Sequence, residues 1–121
     1  MCLNISKTAV VETAEEDIIC YKVVKMYNNE YFTRYRDFHI EIGKTYLSEL
    51  NAFRDDNKDF DYDIVEEGLH SYCNERSAHA SFNNYFKVKC TIPKGSLYYK
   101  GLFSECESYA SNCLRYDEII N

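Results

Sequence analysis

Residues 85–92 alternate strictly. Phe86, Val88, Cys90 and Ile92 are apolar, and Tyr85, Lys87, Lys89 and Thr91 fall between them. A period of two is that of a strand with one buried face. Ile92-Pro-Lys-Gly95 then reads as a type I turn, with proline presetting φ at the second position and glycine at the fourth. Leu97-Tyr-Tyr-Lys100 resumes the extended pattern. Residues 85–101 are therefore expected to form a β-hairpin on which the rest of the fold is organised.

Earlier in the chain, Ile18, Cys20 and Val24 fall on one face of a strand and Ile19, Tyr21 and Val23 on the other. Apolar residues on both faces predict a strand central in its sheet. Asn28-Asn29 predicts a turn. Phe38, Ile40 and Ile42 alternate with His39 and Glu41, so a second strand is expected with His39 facing solvent. Tyr46, Leu47, Leu50 and Phe53 recur every three or four residues, which predicts a short amphipathic helix. Gly68–Cys73 reads as a strand leaving a glycine turn. Asn74 is placed to cap a second helix through Glu75, Ala78 and Phe82. Residues 102–108 are expected as a loop, and 109–111 and 114–120 as closing strands. Residues 1–16 show no sustained period and are expected to pack only in part.

These elements predict an α+β fold, a mostly antiparallel sheet with two short helices packed on it. At 121 residues the chain is expected to be one domain, 1–121. A hydrophobic content of 45% and an aromatic content of 16% support a folded globule. No apolar run suits a membrane span and no secretory signal is legible, so a cytoplasmic protein is expected, without membrane contact. A net charge of −6 argues against DNA or RNA as a partner, since phosphate contacts need clustered cations.

Six cysteines are scattered with no C-x-x-C pair, which suits reduced thiols, several of them in the core. His70-x-x-Cys73 is an isolated half-site, too little for zinc. Residues 55–66 place oxygen side chains at the spacing of an EF-hand loop. Phe60, however, stands at the sixth position, where that loop needs glycine, so a solvated acidic loop is expected there and no metal. No phosphate-binding glycine loop, nucleophile elbow or metalloprotease motif is present. Asp117 and Glu118 are adjacent on a strand and point apart, so they cannot share one catalytic task. The residues give no positive evidence for catalysis and suggest no cofactor.

Binding is a different matter. Twelve tyrosines without tryptophan suit either a tyrosine-rich surface or an AT-rich genome. Arg34 and Arg36, interleaved with Tyr31 and Tyr35, could cradle a planar or phosphate-bearing ligand; an exposed edge strand or loop would explain them equally well. His70 and Ser71 stand where a strand is expected to yield to a helix, a common place for functional side chains. On the expected hairpin, Lys87, Lys89, Lys94 and Lys100 form a basic region flanked by Tyr85, Tyr98 and Tyr99. A solvated face would account for it. As an anion site it would comprise His70, Ser71, Lys87, Lys89, Lys94, Tyr98, Tyr99 and Arg115.

Across most of its length the chain resembles a group of small uncharacterised proteins of Bacteroides-type gut bacteria and their phages. The resemblance is carried by Met1-Cys-Leu, Glu16–Val24, Ile42–Tyr46, Gly68–Tyr72, Val88–Gly101 and Ser108–Ile120. It brings no residue roles with it. A weaker echo is of ADP-ribosyltransferases: Gly68–Ser71, Ile92–Ser96 and Glu118 follow the order of that family's later half, but its paired-glutamate motif is missing. The expected function is a non-catalytic binding protein of phage or mobile-element type that sequesters a small anionic, nucleotide-derived signal in phage–host conflict. The alternatives are a transferase acting on NAD through Glu118 and a protein-interaction domain without a small-molecule site.

Overall fold

The computed structural model describes residues 3–54, 61–80 and 82–120. It begins with β1 (Leu3–Ser6), β2 (Glu12–Thr13), β3 (Ile18–Tyr27), β4 (Glu30–Thr33) and β5 (His39–Ile40). There follow β6 (Thr45–Leu47), β7 (Asn51–Phe53), β8 (Tyr62–Glu67) and β9 (Leu69–Tyr72). The chain closes with β10 (Tyr85–Ile92), β11 (Leu97–Phe103), β12 (Cys106–Ser111) and β13 (Cys113–Ile119). All thirteen belong to one sheet in the order β6-β13-β10-β3-β9-β12-β11-β1-β8-β7, with β2 on β11, and β4 and β5 beside β3. Every pairing among them is antiparallel.

The sheet curls into a half-barrel. Its terminal strands, β6 and β7, are consecutive in the chain and separated only by residues 48–50. Four Cα steps span no more than about 14 Å, so the two edges must lie near one another. The curl is made at two corners. Gly68 alone separates β8 from β9, yet β8 pairs with β1 and β7 while β9 pairs with β12 and β3. Asn112 alone separates β12 from β13, and their partners are likewise different. Each is a long strand bent where it changes partners, as at the corners of orthogonal sheets. The corners touch: Leu69 is in register with Ser111, and the Ser48 amide donates to the Asn112 carbonyl at 2.9 Å. A Cβ on Gly68 would stand 2.8 Å from Leu50 Cδ1, so glycine lets the connector cross there.

The main core lies between β3, β10 and β13 and is built from Cys20, Val24, Val88, Cys90, Ile92, Leu114 and Tyr116. Leu3, Ile5, Val65 and Ala110 form a second cluster, and Val23, Tyr72 and Ala78 a third. Residues 1–16, expected as a partly packed arm, thus supply β1 with Leu3 and Ile5 buried.

The fold class differs from the expected α+β: it is antiparallel β. Neither predicted helix forms. Residues 46–53 split between β6 and β7 because β13 and β8 offer unpaired edges to them. Tyr46 turns inward, edge-on to Tyr116, while Leu47 is left 80% exposed. After Asn74, a single 3-10 turn, Glu75–Ser77, is the helical structure among the described residues, and the Asn74 side chain makes no capping bond. Residues 102–108 are not a loop. Ser104 (φ 48°) and Glu105 (φ 67°) make a tight turn between β11 and β12, as Asn28 and Asn29 (φ 53° and 63°) do between β3 and β4. Two successive positive φ values match the right-handed twist of the strands they join.

The expected hairpin is not a hairpin. β10 pairs with β3 and β13, whereas β11 pairs with β12, β1 and β2. The turn falls one residue later than expected: the Ser96 amide donates to the Pro93 carbonyl, and Gly95, at φ 89°, takes the third position as in a type II turn. Backbone bonds between Ala14 and Gly95 and Ser96 hold the turn, as does the Asp17 carboxylate on the Lys94 amide. The 12–17 segment thereby sends β11 away from β10.

In the acidic stretch, residues 55–60 lie outside the described residues. Asp63, the ninth position of the EF-hand spacing, is buried and accepts 2.8 Å bonds from Lys7 and Arg54. Its carboxylate is thus already occupied by two cations.

Candidate functional site

Strand β3 carries two rows of side chains. Cys20 and Val24 are fully buried in the main core, and Lys22, in register with Val88, stands between them in the same row. A lysine there must find a polar partner, because an ammonium in apolar surroundings is costly. The corner supplies one: Lys22 Nζ donates to the carbonyl oxygen of His70 at 2.7 Å. Although the residue is half-buried as a whole, its amine is deep enough for desolvation to lower its pKa to about 8.

Above this amine opens a cleft of about 230 Å³. Its floor is Lys22, Leu69 and Tyr116; one wall is the corner at Glu67, Gly68 and His70, and the other is the loop of residues 33–38. That loop is closed by the Thr33 amide donating to the Phe38 carbonyl and the Asp37 amide donating to the Thr33 carbonyl, with the Thr33 hydroxyl accepting from the Phe38 amide. Lys25 pairs with Asp37, which takes a positive φ of 56°. The closure places Arg34, Tyr35 and Arg36 at the loop tip. Arg34 lies over the rings of Tyr35 and Tyr85, at 5.1 and 5.5 Å, and Tyr35 meets Phe103 edge-on. Phe38, expected to point inward, is 62% exposed and lines the cleft instead.

His70 is only 8% exposed and packs edge-on against Tyr72 and Phe103, at 4.7 and 4.9 Å between ring centres. Its Nε2 has no hydrogen-bond partner. Burial, and then the Lys22 charge, drive its pKa well below 6.5, so the ring is neutral. Among the described residues neither Arg34 nor Arg36 is ion-paired. Three cationic side chains thus face one cleft carboxylate, Glu67, in a protein of net charge −6.

Of the eight residues expected to form an anion site, His70 alone lines this cleft. Ser71 faces the opposite side of β9, fully buried with its hydroxyl beside the Cys20 thiol. Loss of the hairpin disperses the rest. Lys87 lies 3.9 Å from Glu75, Lys89 is in register with Glu118 on β13, and Lys94 sits on the distant turn. Tyr98 packs on Tyr109 and Tyr99 against Arg54. Arg115 is engaged by Asp117 at 2.6 Å.

The cleft's own cations were legible to different degrees. Arg34 and Arg36 stand out in the sequence by their interleaving with tyrosine. Lys22 gives a quieter signal, a charge in an otherwise apolar row, Cys20-x-Lys22-x-Val24. Among the described residues no cluster of metal-ligating side chains forms, and no helix is long and apolar enough to cross a membrane. No protein-family model, curated protein or solved structure matches the chain.

Proposed function

We propose that the protein binds a small, planar, anionic ligand of nucleotide-derived type in this cleft, and that it acts by sequestering the ligand. The observation that carries the reading is the convergence of Lys22, Arg34 and Arg36 on a concavity walled by Tyr35, Phe38, Tyr72 and Tyr116. Guanidinium groups suit phosphate by charge and forked geometry, and aromatic faces suit a planar ring. An unpaired buried imidazole nitrogen adds one directional hydrogen bond for the ligand to satisfy. Association with phage or mobile-element conflict rests on the sequence resemblance alone.

Size and position bear on the alternative. Cavities for drug-sized ligands run from about 300 Å³ upward, so 230 Å³ suits a mononucleotide better than NAD. Glu118, the carboxylate a transferase would use, is exposed on β13 and is not part of the cleft lining.

The test is thermal denaturation with a panel of mononucleotides, cyclic nucleotides and ADP-ribose derivatives, followed by titration of the best ligand. The Arg34→Ala/Arg36→Ala double variant is expected to weaken binding by roughly 10- to 100-fold, on the order of one to two charge-assisted hydrogen bonds. Absence of any thermal shift across the panel would sink the reading.

A further inference from the structure

We propose that Lys22 captures an anionic aldehyde or α-keto acid at the floor of the cleft as a reversible imine, with the ligand's anionic group held by Arg34 and Arg36. The inference rests on the reading of the cleft as an anion site and adds the chemistry at its base.

The surroundings of the amine argue for it. Lys22 is held by a neutral acceptor, the His70 carbonyl at 2.7 Å, and by no carboxylate among the described residues. The titratable groups packed around it are uncharged near neutral pH. Burial pushes the Cys20 thiol up to about 12, the Cys90 thiol higher still and the Tyr116 phenol well above 10, while His70 stays neutral. Arg34, Arg36 and Glu67 are the other charged residues that line the cleft. With a pKa of about 8, roughly a tenth of the amine is neutral at pH 7, against about one part in three thousand for an ordinary lysine. Lysines desolvated in apolar surroundings are among those that serve as amine nucleophiles. The cleft also holds a second sign that a ligand completes it, the nine-tenths-buried His70 with its unpartnered Nε2.

The step balances without oxidant or reductant. The Nζ lone pair attacks the carbonyl carbon, the carbonyl π electrons move to oxygen, and the proton lost from nitrogen goes to that oxygen to give a carbinolamine. Loss of one water then forms the C=N bond, and hydrolysis reverses the sequence. The Arg pair contributes by raising the local concentration of anionic carbonyl compounds at the amine.

The probe is pyridoxal 5′-phosphate, a planar anionic aldehyde, added to the full chain and trapped with borohydride before peptide mapping. The nine lysines provide internal controls. Lys22 is expected to be labelled at least tenfold faster than exposed Lys94, with a rate that rises through pH 8 and a similar loss of labelling in Arg34→Ala/Arg36→Ala. Labelling spread over surface lysines with Lys22 spared would overturn the proposal, and it needs no variant to fold. Pyridoxine 5′-phosphate, which lacks the carbonyl, separates the two readings. If it binds to wild type and to Lys22→Arg while Lys22 is not labelled, the anion site stands and the capture fails. If it does not bind and Lys22 is still labelled selectively, the reactive amine stands and the arginine seat is wrong.

Discussion

The amine of Lys22 donates to the carbonyl oxygen of His70 at 2.7 Å, joining the interior row of β3 to the corner at Gly68. A charge is thereby held in the main core by a neutral acceptor, and the cost appears as a pH dependence. The unfolded chain keeps this proton to about pH 10.5, and the folded chain releases it near 8. Between those values the unfolded state binds more protons, so the lysine's contribution to stability rises with pH.

Comparison with Lys22→Met isolates that contribution, because the opposing thiols and phenols, whose pKa values are raised, are common to both proteins. The stability of wild type relative to Lys22→Met is expected to improve by about 3 kcal/mol from below pH 8 to above 10.5. Urea denaturation followed by tyrosine fluorescence measures it. A constant difference across that range would show that the amine is not desolvated.

His70 produces a slope at the other end of the scale. Its folded pKa lies well below the unfolded value of 6.5, so as pH falls below 6.5 the unfolded chain takes up a proton that the folded chain refuses. Stability is lost progressively in that window, at up to about 1.4 kcal/mol per pH unit. His70→Phe keeps the edge-on packing with Tyr72 and Phe103 and removes the titration. The variant is expected to match wild type at pH 7.5 and to exceed it by about 1–2 kcal/mol at pH 5. Equal acid sensitivity in the two proteins would refute the assignment of the buried neutral ring.

Gly101 marks a close approach of backbones. A Cβ there would stand 2.1 Å from the Asn4 carbonyl oxygen and 3.0 Å from Ile5 Cγ2, where β1 crosses β11. The obstacle is main chain, which cannot swing away as the Leu50 side chain can at Gly68. Gly101→Ala is expected to cost about 2–4 kcal/mol, measured as a fall in the thermal midpoint. A loss below about 0.5 kcal/mol would mean that β1 does not lie against β11 as described.

Local pattern determined much of the strand content. Period-two alternation located β10 and, over residues 38–42, the short β5; the apolar run at 18–26 and the stretch after Gly68 marked β3 and β9, and the two apolar faces of β3 correctly predicted a central strand, which β10, β4 and β9 flank. Asn28-Asn29 was legible as a turn because asparagine tolerates positive φ. The interleaving of Arg34 and Arg36 with tyrosines marked the loop tip that lines the cleft. What the sequence by itself could not determine was pairing. Tyr46, Leu47, Leu50 and Phe53 keep a helical spacing, yet open edges on β13 and β8 satisfy their backbone as strand, and spacing cannot register an edge formed some sixty residues later. The Pro-Lys-Gly turn likewise reads as the tip of a hairpin until bonds to Ala14 and Asp17 divert β11 to other partners. That diversion scattered the lysines expected to form one basic patch. It left the site to a corner, where Lys22, His70 and the 33–38 loop meet only because the strands bend at Gly68 and Asn112. Alternation is a property of neighbours along the chain; pairing and curl are set by contacts between distant segments, and only the tertiary structure decided those.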